Sequence, residues 1–240
     1  MDVLIVGASG SIGKELAKVY WNSYCRTPDF RLFVTHRRTG FKGPEGAINM
    51  LLDYEDERSV TKCVTFLSEL ELRPKIVVFC SGFLHDSLHR PEKKISVVSE
   101  EYLFKSFQLN AAGPLLFFSK ISEMIKQTDS AKVTFLSAQV GSIEDNRSGG
   151  WYGYRMSKAA LNMAIKTVSI ETSRWAKPPI VVAVHPGTTI SNLSNRFLGQ
   201  RSSRAQTPVE CASKLSSLIS SLHSGDSGKF LTLSHAELPW

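Results

Sequence analysis

The sequence predicts a single α/β domain built on a doubly wound sheet of seven parallel strands with helices on both faces. Three observations predict this fold: seven short apolar runs recur, helical periodicity separates them, and a glycine-rich turn follows the first run. Runs that are apolar almost throughout are typical of strands covered on both sides, as parallel strands are. The length suits one domain over residues 1–240, without an internal repeat or long linker.

Each strand is predicted from an apolar run of strand length that is rich in β-branched residues. The runs are Val3–Val6, Arg31–Thr35, Ile48–Leu52, Lys75–Cys80, Lys132–Ser137, Ile180–His185 and Lys229–Leu233. The predicted helices are one containing Ile12, Leu16 and Val19, then Glu55–Glu71, Glu100–Gln127, Tyr154–Arg174 and Pro208–His223. Right-handed crossovers through such helices give a doubly wound sheet.

The predicted helix Tyr154–Arg174 is apolar on two sides. One stripe contains Leu161, Ile165 and Val168, and the other contains Met156, Ala160, Met163 and Thr167. A helix that is apolar on two sides is usually buried on two sides. One stripe is expected to pack on the sheet, and the other to meet either a second subunit or a neighbouring loop. The first alternative predicts a homodimer or homotetramer.

Composition and charge argue against several function classes. The four cysteines (Cys25, Cys63, Cys80 and Cys211) lack metal-ligand spacing, which favours a reduced, cytoplasmic setting. With no secretory signal and no apolar run of about 20 residues, a membrane partner is not expected. The net charge of +7 comes from dispersed basic residues, so no nucleic-acid partner is expected either. His85 and His89 lack a third ligand and are expected in a solvated loop, without a metal.

A glycine-rich turn links the first strand to the first helix, with glycines at positions 7, 10 and 13. Glycine allows unusual backbone angles and a close approach of the backbone to a pyrophosphate. The following helix N-terminus offers free N–H groups and a partial positive charge. The strand–turn–helix context therefore predicts a dinucleotide site.

The second predicted strand is followed by Arg37 and Arg38, with no acidic residue beside them in the sequence. A carboxylate at this position would accept hydrogen bonds from the ribose of NAD and repel a 2′-phosphate. Guanidinium groups bind phosphate through charge-assisted pairs of hydrogen bonds. The pattern favours NADP over NAD, unless both arginines are solvated surface residues.

Tyr154 and Lys158 open a helix four residues apart, so that their side chains share one helical face. A phenol with a pKa of about 10 is a poor acid or base near neutrality. A neighbouring ammonium favours the phenolate, and we expect Lys158 to lower the pKa of Tyr154. Such a tyrosine would exchange a proton with a carbonyl oxygen.

Five motifs in order give the whole chain a clear resemblance to the short-chain dehydrogenase/reductase family. They are the glycine turn, Phe79-Cys-Ser-Gly82, Asn110, Tyr154-x-x-x-Lys158 and His185-Pro186-Gly187. The stretches 137–143 and 149–162 resemble one branch of the family more closely, that of the C-factor-like proteins and the insect sniffer carbonyl reductases.

The resemblance implies roles for residues along the chain. Tyr154 would be the general acid/base, Lys158 would hold the nicotinamide ribose, and Asn110 would anchor a proton-relay water. Residues with implied cofactor contacts are Gly7, Ser9, Ile12 and Gly13 at the diphosphate, Asp53 at the adenine, Ser81 and Gly82 at the adenosine ribose, and Pro186, Gly187, Thr189 and Ser191 at the nicotinamide amide. The alternatives are a helix N-cap for Asp53 and a purely structural residue for Asn110.

The sequence departs from the family pattern at two places. The glycines are spaced G-x-x-G-x-x-G instead of G-x-x-x-G-x-G. Ala138 stands where the family has its substrate-orienting serine. Ser137 should point to the opposite face of the strand. We therefore expect Ser142 to supply the missing hydroxyl, with water or Asn110 as alternatives.

The resemblance implies an NADP(H)-dependent oxidoreductase that acts on a small carbonyl or alcohol substrate. The alternative is a nucleotide-binding sensor or signalling protein on the same fold, which Ala138 favours. The segments 83–94 and 192–204 should shape the substrate pocket, but their mixed character does not predict the substrate. Arg196, Arg201 and Arg204 suggest an anionic substrate or a solvated surface, and Lys93 and Lys94 are expected at the surface.

Overall fold

A computed structural model describes residues 1–37, 40–199 and 205–240. The strands are β1 (Asp2–Val6), β2 (Arg31–His36), β3 (Ile48–Leu51), β4 (Pro74–Phe79), β5 (Lys132–Leu136), β6 (Ile180–His185) and β7 (Phe230–Thr232). The helices are α1 (Ser11–Tyr24), α2 (Glu57–Glu69), α3 (Glu100–Phe107), α4 (Gly113–Lys126), α5 (Tyr152–Thr172) and α6 (Pro208–Ser221). All seven predicted strands are confirmed, with ends that differ by at most one residue.

The seven strands form one parallel sheet in the order β3-β2-β1-β4-β5-β6-β7. The predicted doubly wound fold is therefore confirmed. β1 lies between β2 and β4, and its Ile5 is paired with Val34 and Val78. The chain reverses its direction of winding between β1 and β4, which is where ligands bind in sheets of this type. This places the candidate site at the carboxyl ends of the strands.

Two apolar layers cover the sheet. On one face α2, α4 and α5 pack through residues such as Val60, Phe117 and Ile165. On the other face α1 and α6 pack through Leu16 and Leu215. The central strands therefore face a helix layer on both sides, which explains why their runs are apolar instead of alternating, whereas the edge strand β3 exposes Asn49 and Leu51.

The structure corrects one predicted helix. The segment expected as a single helix over Glu100–Gln127 is divided into α3 and α4 by a π-helical turn over Gln108–Ala112. Such turns are rare and frequently occur at functional sites. Here the turn carries Asn110, whose side chain is fully buried.

The two stripes of α5 have different environments. Leu161, Ile165 and Val168 are buried against the sheet, as predicted. Met156 and Met163 are 60% and 67% exposed. No loop within residues 1–37, 40–199 and 205–240 buries the methionine stripe.

Candidate active site

The turn after β1 is packed so tightly that two of its three glycines, Gly7 and Gly13, cannot carry side chains. Gly7 has a φ of +85°, and a Cβ there would lie 2.8 Å from the backbone nitrogen of Ser81. A Cβ on Gly13 would lie 2.6 Å from the carbonyl oxygen of Gly7. Gly7 also donates its N–H to Thr35 Oγ1 at 3.0 Å, which anchors the turn to β2.

Gly10, the middle glycine of the turn, has more room for a side chain than the other two. Gly10 has a φ of −77°, and a Cβ there would lie 3.4 Å from its nearest neighbour, the carbonyl oxygen of Gly7. Gly10 precedes α1, whose N-terminus has no side-chain cap and no acidic residue in its first turn. Ser9 and Ile12 lie half-buried beside this N-terminus. Its free N–H groups and partial positive charge suit a diphosphate.

Tyr154 and Lys158 lie side by side at the start of α5 and are 7% and 3% exposed. The Lys158 ammonium lies 5.9 Å from the centre of the Tyr154 ring and donates to the carbonyl oxygen of Leu136 at 2.9 Å. A Cβ added to Gly82 would lie 3.8 Å from Asn110 Oδ1 and 4.0 Å from Lys158 Nζ. Four of the predicted residues therefore meet at the carboxyl ends of β4 and β5.

The electrostatics of this pair correct one expectation. Burial, with a smaller contribution from Tyr102, raises the pKa of the Tyr154 phenol above its ordinary value instead of lowering it. Burial also lowers the pKa of Lys158 to about 8. Both shifts have one cause, since a site poor in water disfavours the phenolate and the ammonium alike. The Lys158 ammonium is bonded to Leu136, and it is not among the groups that shift the pKa of Tyr154.

The Asn110 carboxamide has all its groups engaged within the protein. Its Oδ1 accepts the N–H of Phe83 at 2.7 Å, and its Nδ2 donates to the carbonyl oxygen of Phe83 and to Ser157 Oγ, at 2.8 and 3.0 Å. The side chain joins the loop after β4 to α5. This supports the structural alternative for the side chain, and the relay water remains a prediction.

The hydroxyl of Ser142 is engaged with other segments of the protein. It donates to the carbonyl oxygen of Trp240 at 3.1 Å and accepts the N–H of Asp145 at 3.1 Å. Because its one proton is used in this bond and the residue is 2% exposed, the geometry disfavours Ser142 as the hydroxyl that replaces the one missing at Ala138, and its catalytic role stays a prediction. Ser137 donates to Asn162 Oδ1 at 2.6 Å and so points away from the site, as strand alternation predicts.

The loop 138–145 is fixed from two directions. Gly141 packs directly on α5, since a Cβ there would lie 2.7 Å from Lys158 Cβ. From the other side, the carbonyl oxygen of Trp240 accepts the N–H groups of Ile143 and Glu144 at 3.1 and 3.2 Å. The indole of Trp240 is stacked on Phe230 in β7, with 5.6 Å between ring centres. No local sequence signal predicts this contact with the end of the chain.

Asp53 and Arg37 lie at the adenosine end of the predicted site. Asp53 Oδ1 accepts the N–H of Glu55, whereas α2 is capped by Asp56, so the N-cap alternative for Asp53 is wrong. Arg37 Nη1 lies 3.5 Å from Glu55 Oε2, although sequence reading found no acidic residue nearby. Both side chains are exposed, and such pairs contribute only about 0–1 kcal/mol. Arg38 lies outside the described residues.

Ser81 lies beside the glycine turn and meets a residue that sequence reading missed. Its Oγ is 3.3 Å from the hydroxyl of Tyr54. A Cβ on Gly113 would lie 2.5 Å from Tyr54 Cγ, so the Tyr54 ring packs between Ser81 and the first residue of α4. Burial raises the pKa of Tyr54, so its phenol keeps its proton near neutral pH.

The segment after β6 is ordered by hydrogen bonds to its own residues and to Gln206. Gly187 has a φ of +70°, and Gln206 Nε2 donates to the carbonyl oxygen of Pro186. Thr189 forms a β-bridge with Gln206, and the hydroxyls of Ser191 and Ser194 are 2.9 Å apart. The predicted nicotinamide side therefore has a preformed backbone.

Sequence reading missed Glu92 and gave His185 only as part of a family motif, without a contact of its own. His185 Nδ1 accepts the N–H of Gln139 at 3.2 Å, and burial lowers the pKa of the imidazole to about 4, so it is neutral near pH 7. The buried Glu92 carboxylate accepts the N–H of Gly153 at 3.1 Å, in the first turn of α5. A negative charge at a helix N-terminus stabilises the helix. Glu92 therefore fixes α5 next to Tyr154.

The structure also corrects the expectation that His85 and His89 lie in a solvated loop. His89 is buried, and its Nδ1 lies 2.9 Å from Asp86 Oδ1. His85 is half-buried beside the carbonyl oxygen of Asn192. Within the described residues, no three potential ligands come together as a metal site, and no helix is both long and apolar enough to cross a membrane.

Comparison with known proteins identifies the family to which the chain belongs. The sequence model described as short chain dehydrogenase matches residues 2–201. The chain belongs to the short-chain dehydrogenase family. The resemblance inferred from five ordered motifs is thus confirmed, and the match includes the glycine turn, Asn110, Tyr154 and Lys158.

Several proteins of this family are similar to the chain. The 1-hydroxy-2-glutathionyl-2-methyl-3-butene dehydrogenase of Rhodococcus sp. (strain AD45) is 28% identical and covers 79% of this chain and 78% of its own. The C-signal of Myxococcus xanthus is 32% identical over 57% of this chain and 77% of its own. The solved carbonyl reductase Sniffer of D. melanogaster has a TM-score of 0.84 at 21% identity, over 100% of this chain and 99% of its own.

A carbonyl reductase from chicken fatty liver, solved with bound NADPH, has a TM-score of 0.86 at 21% identity, over 100% of this chain and 98% of its own. At this identity the solved structures establish a shared fold. They agree with the strand order found here.

Proposed function

We propose that the protein is an NADP(H)-dependent oxidoreductase that transfers hydride between nicotinamide and a small carbonyl or alcohol substrate. The observation that carries the proposal is the buried pair Tyr154 and Lys158 beside Gly82 and Asn110, at the same sheet edge as the glycine turn. The NADPH bound in the chicken carbonyl reductase and the dehydrogenase name of the Rhodococcus relative add support.

The residues present fit a dinucleotide. The side-chain-free Gly7 and Gly13, with the uncapped N-terminus of α1, leave backbone N–H groups for the diphosphate. Lys158 would hold the nicotinamide ribose, and residues 186–191 would flank its amide. Arg37 is the described candidate for a 2′-phosphate and the basis for preferring NADP to NAD. The cofactor would supply the hydride chemistry, and the protein its orientation.

Tyr154 is proposed as the proton donor. A phenol whose pKa is raised keeps its proton at neutral pH, and this is the form that protonates a carbonyl oxygen as hydride arrives at carbon. Since Ser142 is engaged elsewhere, a water beside Ala138 is the proposed second donor to the substrate oxygen.

The alternative is a nucleotide-binding sensor, favoured by Ala138 and by the engagement of Ser142 with Trp240. NADPH consumption with a panel of aldehydes, ketones and quinones separates the two functions. The reductase should turn over at least one class, and Tyr154→Phe should lower its turnover by about 10²–10⁴-fold while leaving the affinity for NADPH unchanged. Tight NADPH binding without any turnover would establish the sensor instead.

We further propose a cytoplasmic homodimer or homotetramer formed through the exposed side of α5. Met156, Met163 and Ile170 lie there at helical spacing, and all three are exposed. Contiguous exposed apolar surface of this kind marks interaction sites. Met163→Glu should shift the mass measured by sedimentation to that of a monomer. Ser217→Glu, at an exposed position of α6 on the other face of the sheet, should leave the mass unchanged.

A further inference from the structure

A cavity of about 850 Å³ lies between the loop after β4 and the segment after β6. One wall comes from residues 90–97, and the other comes from Arg196 and Phe197. The two walls belong to the segments that shape substrate pockets in the predicted fold. The cavity is therefore part of the space a substrate would enter.

The ring of Trp151 lies between the cavity wall at Phe197 and the proposed proton donor, Tyr154. The ring of Phe197 in its wall lies 5.3 Å from the ring of Trp151, and Trp151 lies 6.1 Å from Tyr154, measured between ring centres. Glu92, in the opposite wall, is bonded to Gly153 next to Tyr154. A substrate whose carbonyl lies at Tyr154 can therefore extend past Trp151 into the cavity.

The charge of the cavity is strongly positive. Arg90, Lys93, Lys94 and Arg196 line it, and none of them has a carboxylate within ion-pair distance in the described ranges. Its one acidic residue, Glu92, is buried, and both carboxylate oxygens accept the N–H of Gly153. A second cavity lies at the amino ends of the strands. The charge of its Arg31 is already compensated, because Arg31 is paired with Asp2.

We propose that this cavity binds an anionic group of the substrate, a carboxylate or a phosphate ester, remote from the reacting carbonyl. Guanidinium and ammonium groups without partners give such a group charge-assisted hydrogen bonds. The exposed side chain of Val97 and the half-buried ring of Phe197 offer apolar contact to the stem between the anion and the carbonyl. The inference rests on the proposed function and specifies its substrate class as carbonyl compounds that carry a negative charge.

The test compares matched aldehydes that differ in charge. The probes are para-formylbenzoate, the longer para-formylcinnamate and para-formylphenyl phosphate, with the methyl esters of both carboxylates as neutral controls. The anions should be preferred over the esters in kcat/KM by about tenfold, the usual consequence of one charge-assisted hydrogen bond. The preference should lie in KM and weaken with added salt. Comparison of the phosphate with the carboxylates shows which anion the cavity takes.

Two variants locate the effect. The double variant Lys93→Ala, Arg196→Ala should abolish the preference by lowering kcat/KM of the anions to that of the esters. The control variant Arg58→Ala, Lys62→Ala removes one arginine and one lysine from exposed positions on α2 and should keep the preference. Equal kcat/KM for acids and esters would overturn the inference, and so would a similar loss in the control variant.

Binding measured without turnover separates this inference from the proposed function. Calorimetric titration with para-formylcinnamate should show binding that the Lys93→Ala, Arg196→Ala variant loses and the control variant retains. If no aldehyde is reduced yet this pattern holds, the proposed reduction fails and the anion site stands. If aldehydes are reduced but no anion-dependent binding is found, the cavity inference alone is wrong.

Discussion

The hydroxyl of Ser142 donates a hydrogen bond to the carbonyl oxygen of Trp240, 98 residues further along the chain. Ser142→Ala would leave the N–H of Asp145 without its partner and remove one of the three hydrogen bonds that the Trp240 oxygen accepts, which should lower the free energy of unfolding by about 1–3 kcal/mol. Turnover should change less than about threefold, far below the 10²–10³-fold loss typical of a missing oxyanion donor.

Urea unfolding and steady-state kinetics of Ser142→Ala check both parts. Ser122→Ala, at an exposed position on α4, is the control and should leave stability unchanged within about 0.5 kcal/mol. A large loss of turnover with unchanged stability would restore Ser142 as the hydroxyl that orients the substrate.

Lys158 is a buried cation whose pKa is lowered to about 8. Between pH 8 and its ordinary value of 10.5, the unfolded chain holds a proton that the folded chain lacks, so this group makes stability rise with pH there. Lys158→Met should remove the cost of burying the charge and raise the free energy of unfolding near pH 7 by about 1–3 kcal/mol. It should also weaken NADPH binding and abolish turnover.

Unfolding curves of the parent and of Lys158→Met at pH 7 and pH 10 test this prediction. The two proteins should differ more at pH 7 than at pH 10, because the parent has lost the buried charge at the higher pH. A parent that is more stable than Lys158→Met at pH 7 would contradict it.

The exposed pair Arg37 and Glu55 bears on the choice of cofactor. Glu55→Gln frees the guanidinium for a 2′-phosphate and should strengthen NADPH binding by up to about 1 kcal/mol, the usual upper value for a surface pair. Arg37→Ala should weaken NADPH binding by about 1–3 kcal/mol and leave NADH unchanged. Fluorescence titrations with both cofactors measure these changes, and equal affinities for NADPH and NADH in the parent protein would remove the basis for NADP.

Trp240 should stabilise the loop beside Lys158 through its stack on Phe230. Trp240→Ala should lower the free energy of unfolding by about 1–3 kcal/mol, less than the loss of a fully buried tryptophan. It should also lower kcat, since residues 142–144 lose the position that Trp240 gives them. Trp240→Phe keeps a stacking ring and should recover most of the free energy of unfolding and most of kcat. Failure of phenylalanine to recover either quantity would show that the stack does not hold the loop.

The sequence predicts the strands and helix α5 because their signals are local. Continuous apolar runs reflect burial on both sides of the sheet, and the spacing of Tyr154 and Lys158 reflects one turn of α5. Both residues lie in the candidate site as expected. General handedness rules predict a doubly wound sheet, and the structure supplies the order of its strands.

The corrected features depend on contacts between distant segments. Glu92 meets Gly153 across 61 residues, and Ser142 meets Trp240 across 98. The direction of the Tyr154 pKa shift depends on how much water the folded site excludes, which spacing along a helix does not report. The pairing of Arg37 with Glu55 likewise arises only after β2 and α2 are placed.

The π-helical turn at Gln108–Ala112 contains one residue more than an α-helical turn, and each residue rotates a helix by about 100°. Removing a residue from this turn would therefore re-phase everything that follows in α4, turning Phe117 and Ile121 away from the sheet. The same deletion would take Asn110 out of reach of both Phe83 and Ser157. Among related chains, this segment should accordingly keep its length even where its side chains diverge, because an insertion or deletion here breaks the core and the site together.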